Sequence, residues 1–331
     1  MTRTVVIVHP GALGDILLAL PALQRLRARF PGHQISLCAN EQPSEFLSEC
    51  GVIDRWLPVQ GLDCTGLFSG SVSPAGELFD WLARCDLAVG WIKDQDNTIG
   101  HTLKKYARQA TVVVGSPFSS TSVMHQSDRF LDILGELSVG HLLSVRLSLP
   151  EHLIEQGQAR LRQAGVFMDR PVALIHPGSG SRHKCVKPQV LARVMKSLET
   201  EGAIAVLLEG PADAEMIADV IDPLSPPPIT LRNFGLGELA GVLSQVRLYV
   251  GHDSGITHLS AAVGAATVAI FGPTDADRWA PRGSHVRVLR GTTCGCPDWE
   301  AVRRCADKSC LPSSAQDILT LCRDQLLQCN P

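Results

Sequence analysis

The 331-residue sequence has no low-complexity tract, no excess of basic residues and no apolar run of the roughly 20 residues that a membrane helix needs. A formal net charge of −3 argues against a protein built mainly around nucleic acid, although a local basic patch stays open to an anionic ligand. The apolar N-terminus, Met1 to Leu20, is interrupted by His9, Pro10, Gly11, Gly14 and Asp15. It therefore fits neither a signal peptide nor a spanning helix, and the expected location is the cytoplasm. The chain also lacks a Gly-x-Gly-x-x-Gly loop and a nucleoside-triphosphate P-loop. That argues against an NAD-dependent dehydrogenase, the default for two α/β domains.

Cysteine, by contrast, is plentiful. Eleven scattered thiols, an odd number with no secretion signal, read as reduced cysteines rather than a disulfide framework. The remaining composition, 45% apolar and 19% charged, is that of a globular protein long enough for two domains.

Short β-branched runs alternate with amphipathic stretches, the pattern of βαβ units and a parallel sheet. Val5–Val8, Ile35–Ala39, Leu87–Gly90 and Thr111–Gly115 are predicted strands, with one helix expected from Asp15 to Arg29. Val172–His176, Ala203–Glu209, Leu248–Gly251 and Ala266–Phe271 are predicted strands of the second half. Helices are expected over Pro188–Gly202, Ala212–Ile221 and Gly255–Val263. Both halves open with an apolar strand and then His-Pro-Gly, at His9-Pro10-Gly11 and His176-Pro177-Gly178. This repetition implies two similar α/β domains, 1–160 and 161–331. A helix over 313–329, capped by Ser313 or Ser314, closes the chain, with packing back on the N-terminal domain open to it.

Three strand-to-helix loops carry candidate chemistry. In Gly11-Ala12-Leu13-Gly14-Asp15 the acid is either a helix N-cap or a general base at a cleft edge. In His176-Pro177-Gly178-Ser179-Gly180-Ser181-Arg182-His183-Lys184, small hydroxyls and basic side chains form either a phosphate cradle or a solvated turn. In Gly251-His252-Asp253-Ser254-Gly255-Ile256-Thr257-His258, the amides of Ser254, Gly255 and Ile256 would face a docked anion, with His258 one turn into the helix. The bland alternative makes Asp253 or Ser254 a cap and His258 a core residue. Glu209 and, in Gly210-Pro211-Ala212-Asp213-Ala214-Glu215, the carboxylates of Asp213 and Glu215 are candidates for a ribose or sugar hydroxyl, or simply first-turn helix acids. Cys294, Cys296, Cys305 and Cys310 could bind zinc or iron, but Cys-Gly-Cys is tighter than the usual zinc knuckle, and the expectation is no metal.

These motifs together resemble the heptosyltransferases of glycosyltransferase family 9. The likeness rests on Gly14-Asp15 with Leu20-Pro21-Ala22-Leu23, His176-Pro177-Gly178-Ser179-Gly180, Gly210-Pro211-Ala212, Asp253-Ser254-Gly255-Ile256-Thr257-His258, Ala269-Ile270-Phe271-Gly272-Pro273-Thr274 and Cys294-Gly295-Cys296-Pro297 with the two later cysteines. It implies a GT-B architecture, two Rossmann-like domains with parallel sheets facing a central cleft. The implied reaction is inverting and needs no metal or other cofactor, moving a heptose from an ADP-sugar donor to a lipopolysaccharide inner-core or similar glycan. Asp15 would be the base. Ser179, Ser181, Lys184 and the Ser254-Gly255 amides would meet the diphosphate, Glu215 the ribose, and Asp253 and His258 the sugar–diphosphate end. The family's Trp-Pro pair is absent after Lys184, where Cys185-Val186-Lys187-Pro188 stands, so Lys187 competes with Lys184 for the diphosphate.

For the acceptor, Gly14, Arg25, Lys93 and Lys104 are the candidates, with Arg27, Arg29, Lys105 and Arg108 extending a basic face that is equally a solvated surface. The expected partners are an ADP-sugar and a glycolipid or glycan, with no nucleic acid and with peripheral contact to the inner membrane. Two rival readings are a nucleotide-sugar epimerase of the same fold and a non-catalytic nucleotide-sugar-binding module.

Overall fold

The continuous apolar runs are strands buried on both faces, and every strand pair is parallel. In the computed structural model, residues 2–118, 123–138 and 146–328 are described. The chain divides into two units, Met1–Val145 and Arg146–Pro331. The first contains β1 (Thr4–His9), β2 (Gln34–Ala39), β3 (Arg55–Pro58), β4 (Cys85–Trp91) and β5 (Thr111–Gly115). The second contains β6 (Val172–His176), β7 (Ile204–Glu209), β8 (Ile229–Arg232), β9 (Leu248–His252), β10 (Thr267–Phe271) and β11 (Val286–Arg290).

The strand orders are β3-β2-β1-β4-β5 and β11-β10-β9-β6-β7-β8. Each unit starts at the middle of its sheet, builds outward, then returns to build the other side. The order therefore reverses between β1 and β4 and between β6 and β9, and ligands of such sheets bind beyond the strand ends at that point. β1 is buried along its whole length because helices cover both faces. The helix Pro188–Thr200 buries Val190, Leu191, Val194, Met195 and Leu198, the positions its spacing marked.

Two features differ from the sequence expectation. The helix expected over Asp15–Arg29 is two helices, Leu13–Leu18 and Leu20–Arg29, meeting at Ala19. Pro21 has no N–H to continue the first ladder and sits instead in the first turn of the second helix. The division between units falls at Val145/Arg146 rather than near 160, because the helix Glu151–Gln163 packs on Leu236–Gln245. There a Cβ on Gly157 would lie 2.1 Å from the Gly241 carbonyl carbon, and one on Gly241 would lie 1.9 Å from the Leu153 oxygen. Only two facing glycines allow that approach. The closing helix, Ala315–Gln328, lies against Pro188–Thr200 and β9–β11 of its own unit, with Ile318, Leu319 and Cys322 in the core. Ser314 Oγ accepts from the Gln316 N–H at 3.1 Å, the role expected of a cap. Among the described residues no helix is long and apolar enough to cross a membrane.

Candidate active site

In the second unit, the register of β6 with β9 sets His176 opposite Gly251, so the loops leaving these strands start side by side. Ser179 Oγ donates to the Asp253 carbonyl at 2.6 Å and ties the two loops together. Ser181 accepts from the His183 N–H at 3.4 Å and caps a single 3-10 turn, Arg182–Lys184. From that turn Lys184 reaches back, and its Nζ donates to Asp253 Oδ2 at 2.6 Å. Lys184 is 24% exposed and Asp253 10%, so a cation and an acid are held together at the rim of the loop rather than in bulk water. Ser254 caps the helix Gly255–Val263 by accepting from the Thr257 N–H, and its own amide and those of Gly255 and Ile256 lie at that helix's open end. His258 is buried one turn further in.

Behind these loops is a polar layer that pairs residues the motifs held apart. His176 Nε2 meets Asp213 Oδ2 at 2.9 Å, and the Gly210 N–H donates to the same oxygen at 2.8 Å. Burial pushes the Asp213 pKa up, but His176 and the Gly210 amide outweigh it and hold the carboxylate below its ordinary value. The acid thereby joins the loop after β7 to the loop after β6. A Cβ on Gly178 would lie 1.9 Å from Asp213 Oδ1, so glycine is required there. His252 Nε2 accepts from the Val186 N–H at 3.1 Å, an acceptor role that needs a neutral ring. Burial lowers its pKa to about 3 and keeps it neutral.

A cavity of about 380 Å³ adjoins the phosphate-type loop and is lined by Ser179, Arg182, Lys187, Asp213 and Glu215 among others. The two lysines left open by the sequence thus have different places: Lys184 on Asp253, Lys187 in the wall of the cavity that Glu215 also lines. Glu209 is committed to an ion pair with Arg232 at 3.2 Å across β7 and β8, a structural role.

In the first unit Asp15 is not the N-cap. That position belongs to Ala12, and Asp15, three residues on, accepts from the Ala12 N–H at 3.1 Å. Its side chain is half-buried and shares the first turn with Gly14. The Gly11 loop is pinned by Asn40, which donates to the Gly11 carbonyl at 2.8 Å and accepts from Gln60 at 2.7 Å. A Cβ on Gly11 would lie 2.6 Å from Asp15 Cβ and 2.7 Å from His9 Cε1. His9 is enclosed by Trp91 and Phe130, and burial lowers its pKa to about 4.

Lys93 and Lys104 come together in a 640 Å³ cavity beyond β4 and β5, with His101, Gln95 and Ser116. Asp94, also there, is occupied by the amides of Ile99 at 3.1 Å and Gly100 at 2.8 Å. Gly14 and Arg25 do not line it. Arg27 is committed to Asp54 at 2.8 Å and to the Val52 carbonyl, so it leaves the expected basic face.

The four clustered cysteines are free thiols. Cys296 is pushed up to about 11, by desolvation and by hydrogen bonds with Cys294 and Cys305, and Cys310 is raised by burial and by Cys294. Among the described residues no group of three or more His, Cys, Asp or Glu side chains is placed to hold a metal ion.

Known proteins resemble this chain in sequence and in fold. A lipopolysaccharide heptosyltransferase 3 of Escherichia coli is 28% identical over 161 residues, so this chain spans about half of that relative, 47% of each being aligned. One of Escherichia coli strain K12 is 25% identical over 296 residues, covering 81% of this chain and 82% of that one. The crystal structure of a family 9 glycosyl transferase from Veillonella parvula superposes with a TM-score of 0.82 at 19% identity, over 98% of both chains. The Escherichia coli heptosyltransferase WaaC with ADP superposes with a TM-score of 0.66 at 16% identity, covering 98% of this chain and 100% of that one. The fold is GT-B, with two Rossmann-like units. Residues 141–306, half of the chain, match glycosyltransferase family 9 (heptosyltransferase) and contain the whole Ser179–Lys184–Asp253 constellation, so the chain belongs to that family.

Proposed function

We propose that the protein is an inverting, metal-independent glycosyltransferase that moves a heptose or related sugar from an ADP-sugar to a lipopolysaccharide inner-core or similar glycan. The observation that carries the reading is the knot of Ser179, Lys184 and Asp253 at the end of β6 and β9, beside the open end of the Gly255–Val263 helix. It gathers cationic and amide donors where a diphosphate would accumulate charge on leaving. Ser181 and the Ser254-Gly255 amides complete that set, Glu215 takes the ribose, and Asp253 and His258 hold the sugar–diphosphate end. A heptosyltransferase with bound ADP supports the choice of nucleotide.

The acceptor belongs on the first unit. Its hydroxyl oxygen attacks the anomeric carbon, the bond from that carbon to the diphosphate oxygen breaks, and the hydroxyl proton passes to Asp15. ADP leaves with the bonding electron pair. Lys93 and Lys104 supply cationic contacts to the acceptor, with Gly14 beside the base and Arg25 as a further cation. The work takes place in the cytoplasm, at the inner face of the membrane that carries the glycolipid.

The test is calorimetric binding of ADP, UDP, GDP and NAD, with transfer assayed in the presence of a chelator. ADP should bind selectively, Asp253→Ala should weaken it, and Asp15→Ala should abolish transfer while sparing ADP affinity. A preference for UDP would sink the donor assignment, and normal turnover by Asp15→Ala would remove the base. Activity lost to chelator and restored by metal would end the metal-independent scheme.

A further inference from the structure

The Lys184 ammonium touches more than Asp253. The indole of Trp299 faces it, with Nζ 5.6 Å from the ring centroid, inside the range at which a cation is drawn to an aromatic face. Trp299 arrives from a distant part of the sequence and is itself only half-buried, so core packing does not account for its place.

The segment that delivers it is closed at its base and shaped along its length. The Gly291 N–H donates to the Cys310 carbonyl at 3.1 Å and the Thr292 N–H to the Ser309 carbonyl at 3.0 Å, joining the exit of β11 to residues 309–310. A Cβ on Gly291 would lie 2.3 Å from the Ser309 oxygen, so the two backbones pass as close as glycine permits. Asp298 Oδ1 accepts from the Ala301 N–H at 2.7 Å and starts the short helix Trp299–Arg304, whose first residue is the indole. Lys308 Nζ donates to the Val302 carbonyl at 2.8 Å and Val302 is buried, which anchors the helix from below.

We propose that Trp299 is a positioning residue for Lys184, holding the ammonium against Asp253 in the geometry that receives the donor diphosphate. The inference rests on the reading that Lys184 meets the diphosphate. A lysine tip has three donors on a long, freely rotating stem. Asp253 takes one donor at 2.6 Å, and the negative face of the indole restrains the ammonium from a second side. The remaining donors then have a fixed direction before a ligand arrives, and less freedom is lost on binding. The contact needs the electrons of the ring as well as its bulk. An aliphatic side chain of similar volume would fill the space without restraining the charge.

ADP affinity, read by calorimetry in a double-mutant cycle, tests this. Trp299→Leu should weaken ADP binding about fivefold, and Trp299→Phe should recover most of it. In a Lys184→Met background, Trp299→Leu should change nothing further. Equal losses in both backgrounds, or no loss from Trp299→Leu alone, would overturn the inference while leaving Lys184 as the diphosphate lysine. If Lys184→Met itself spares ADP affinity, that reading falls and the inference falls with it. Tetrafluorotryptophan at position 299 keeps the shape of the side chain while removing the negative face of its ring, so it covers the case in which Trp299→Leu fails to fold. It should also weaken ADP binding, and unchanged affinity would refute the electrostatic role.

Discussion

Gly178→Ala puts a methyl group into the layer that supports the candidate donor site. Its Cβ would lie 1.9 Å from Asp213 Oδ1 and 2.2 Å from Asp213 Cγ, well inside van der Waals contact. The carboxylate has little freedom to retreat, being held by His176 at 2.9 Å and by the Gly210 N–H at 2.8 Å. Displacing it breaks hydrogen bonds to an ionised group, each contributing about 1.5–3 kcal/mol, and leaves the buried His176 without its acid. The expected destabilisation is about 3 kcal/mol. Gly180, two positions on, has nothing within 4 Å of an added Cβ, so Gly180→Ala should stay within about 0.5 kcal/mol of wild type. Urea unfolding with an unchanged m-value measures both. In an Asp213→Ala background the added methyl has no carboxylate to strike, and Gly178→Ala should add less than about 0.5 kcal/mol. A Gly178→Ala protein as stable as wild type would refute the account, as would one equally destabilised in both backgrounds.

Acid should weaken the fold before any carboxylate titrates. His252 and His9 are buried with pKa values lowered to about 3 and about 4, so both stay neutral in the folded chain while the unfolded chain protonates them below about pH 6.5. The unfolded state then binds more protons, and stability drops by about 1.4 kcal/mol per pH unit for each such group as pH falls below that point. Urea midpoints should decline from pH 6 to pH 5 and His252→Gln should shallow the slope; a flat profile would contradict the burial argument. On the first unit, Lys93→Ala or Lys104→Ala should raise the acceptor KM about fivefold while sparing ADP affinity. An unchanged KM would move the acceptor away from that cavity.

Strands buried on both faces were legible because burial leaves continuous apolar runs, as in Thr4–His9 and Leu248–His252. Arg55–Pro58, Ile229–Arg232 and Val286–Arg290 escaped notice because these edge strands are four or five residues long and each spends one or more of them on arginine, whereas the edge strand Thr111–Gly115 keeps a run of three valines. The unit boundary was misplaced for another reason. A glycine at 157 means little until Gly241 is seen to face it. The loops at Ser179 and Asp253 stood out because strand, glycine and helix follow one another in sequence. The role of Asp213, there only one of three candidate carboxylates, was not legible, since its hydrogen bond to His176 exists only because β7 lies beside β6. Asn40 was missed likewise, reaching the Gly11 loop from the end of β2.

The repeated His-Pro-Gly sets an acid in two different surroundings. In the second unit the histidine takes a carboxylate from the neighbouring loop, and that acid is absorbed into the support of the loop, almost hidden from solvent. In the first unit the equivalent histidine, His9, is enclosed by Trp91 and Phe130 instead, and burial keeps it uncharged. The nearby acid, Asp15, is carried by the following helix and stays half-buried. It is held through the Ala12 amide, at the end of a helix too short to contribute a large dipole. As the proposed base, Asp15 would be oriented by the backbone and partly open to solvent. Substituting the aromatic enclosure with a carboxylate, as in Phe130→Asp, would favour a protonated His9 and give the first unit a histidine–carboxylate pair like that of the second.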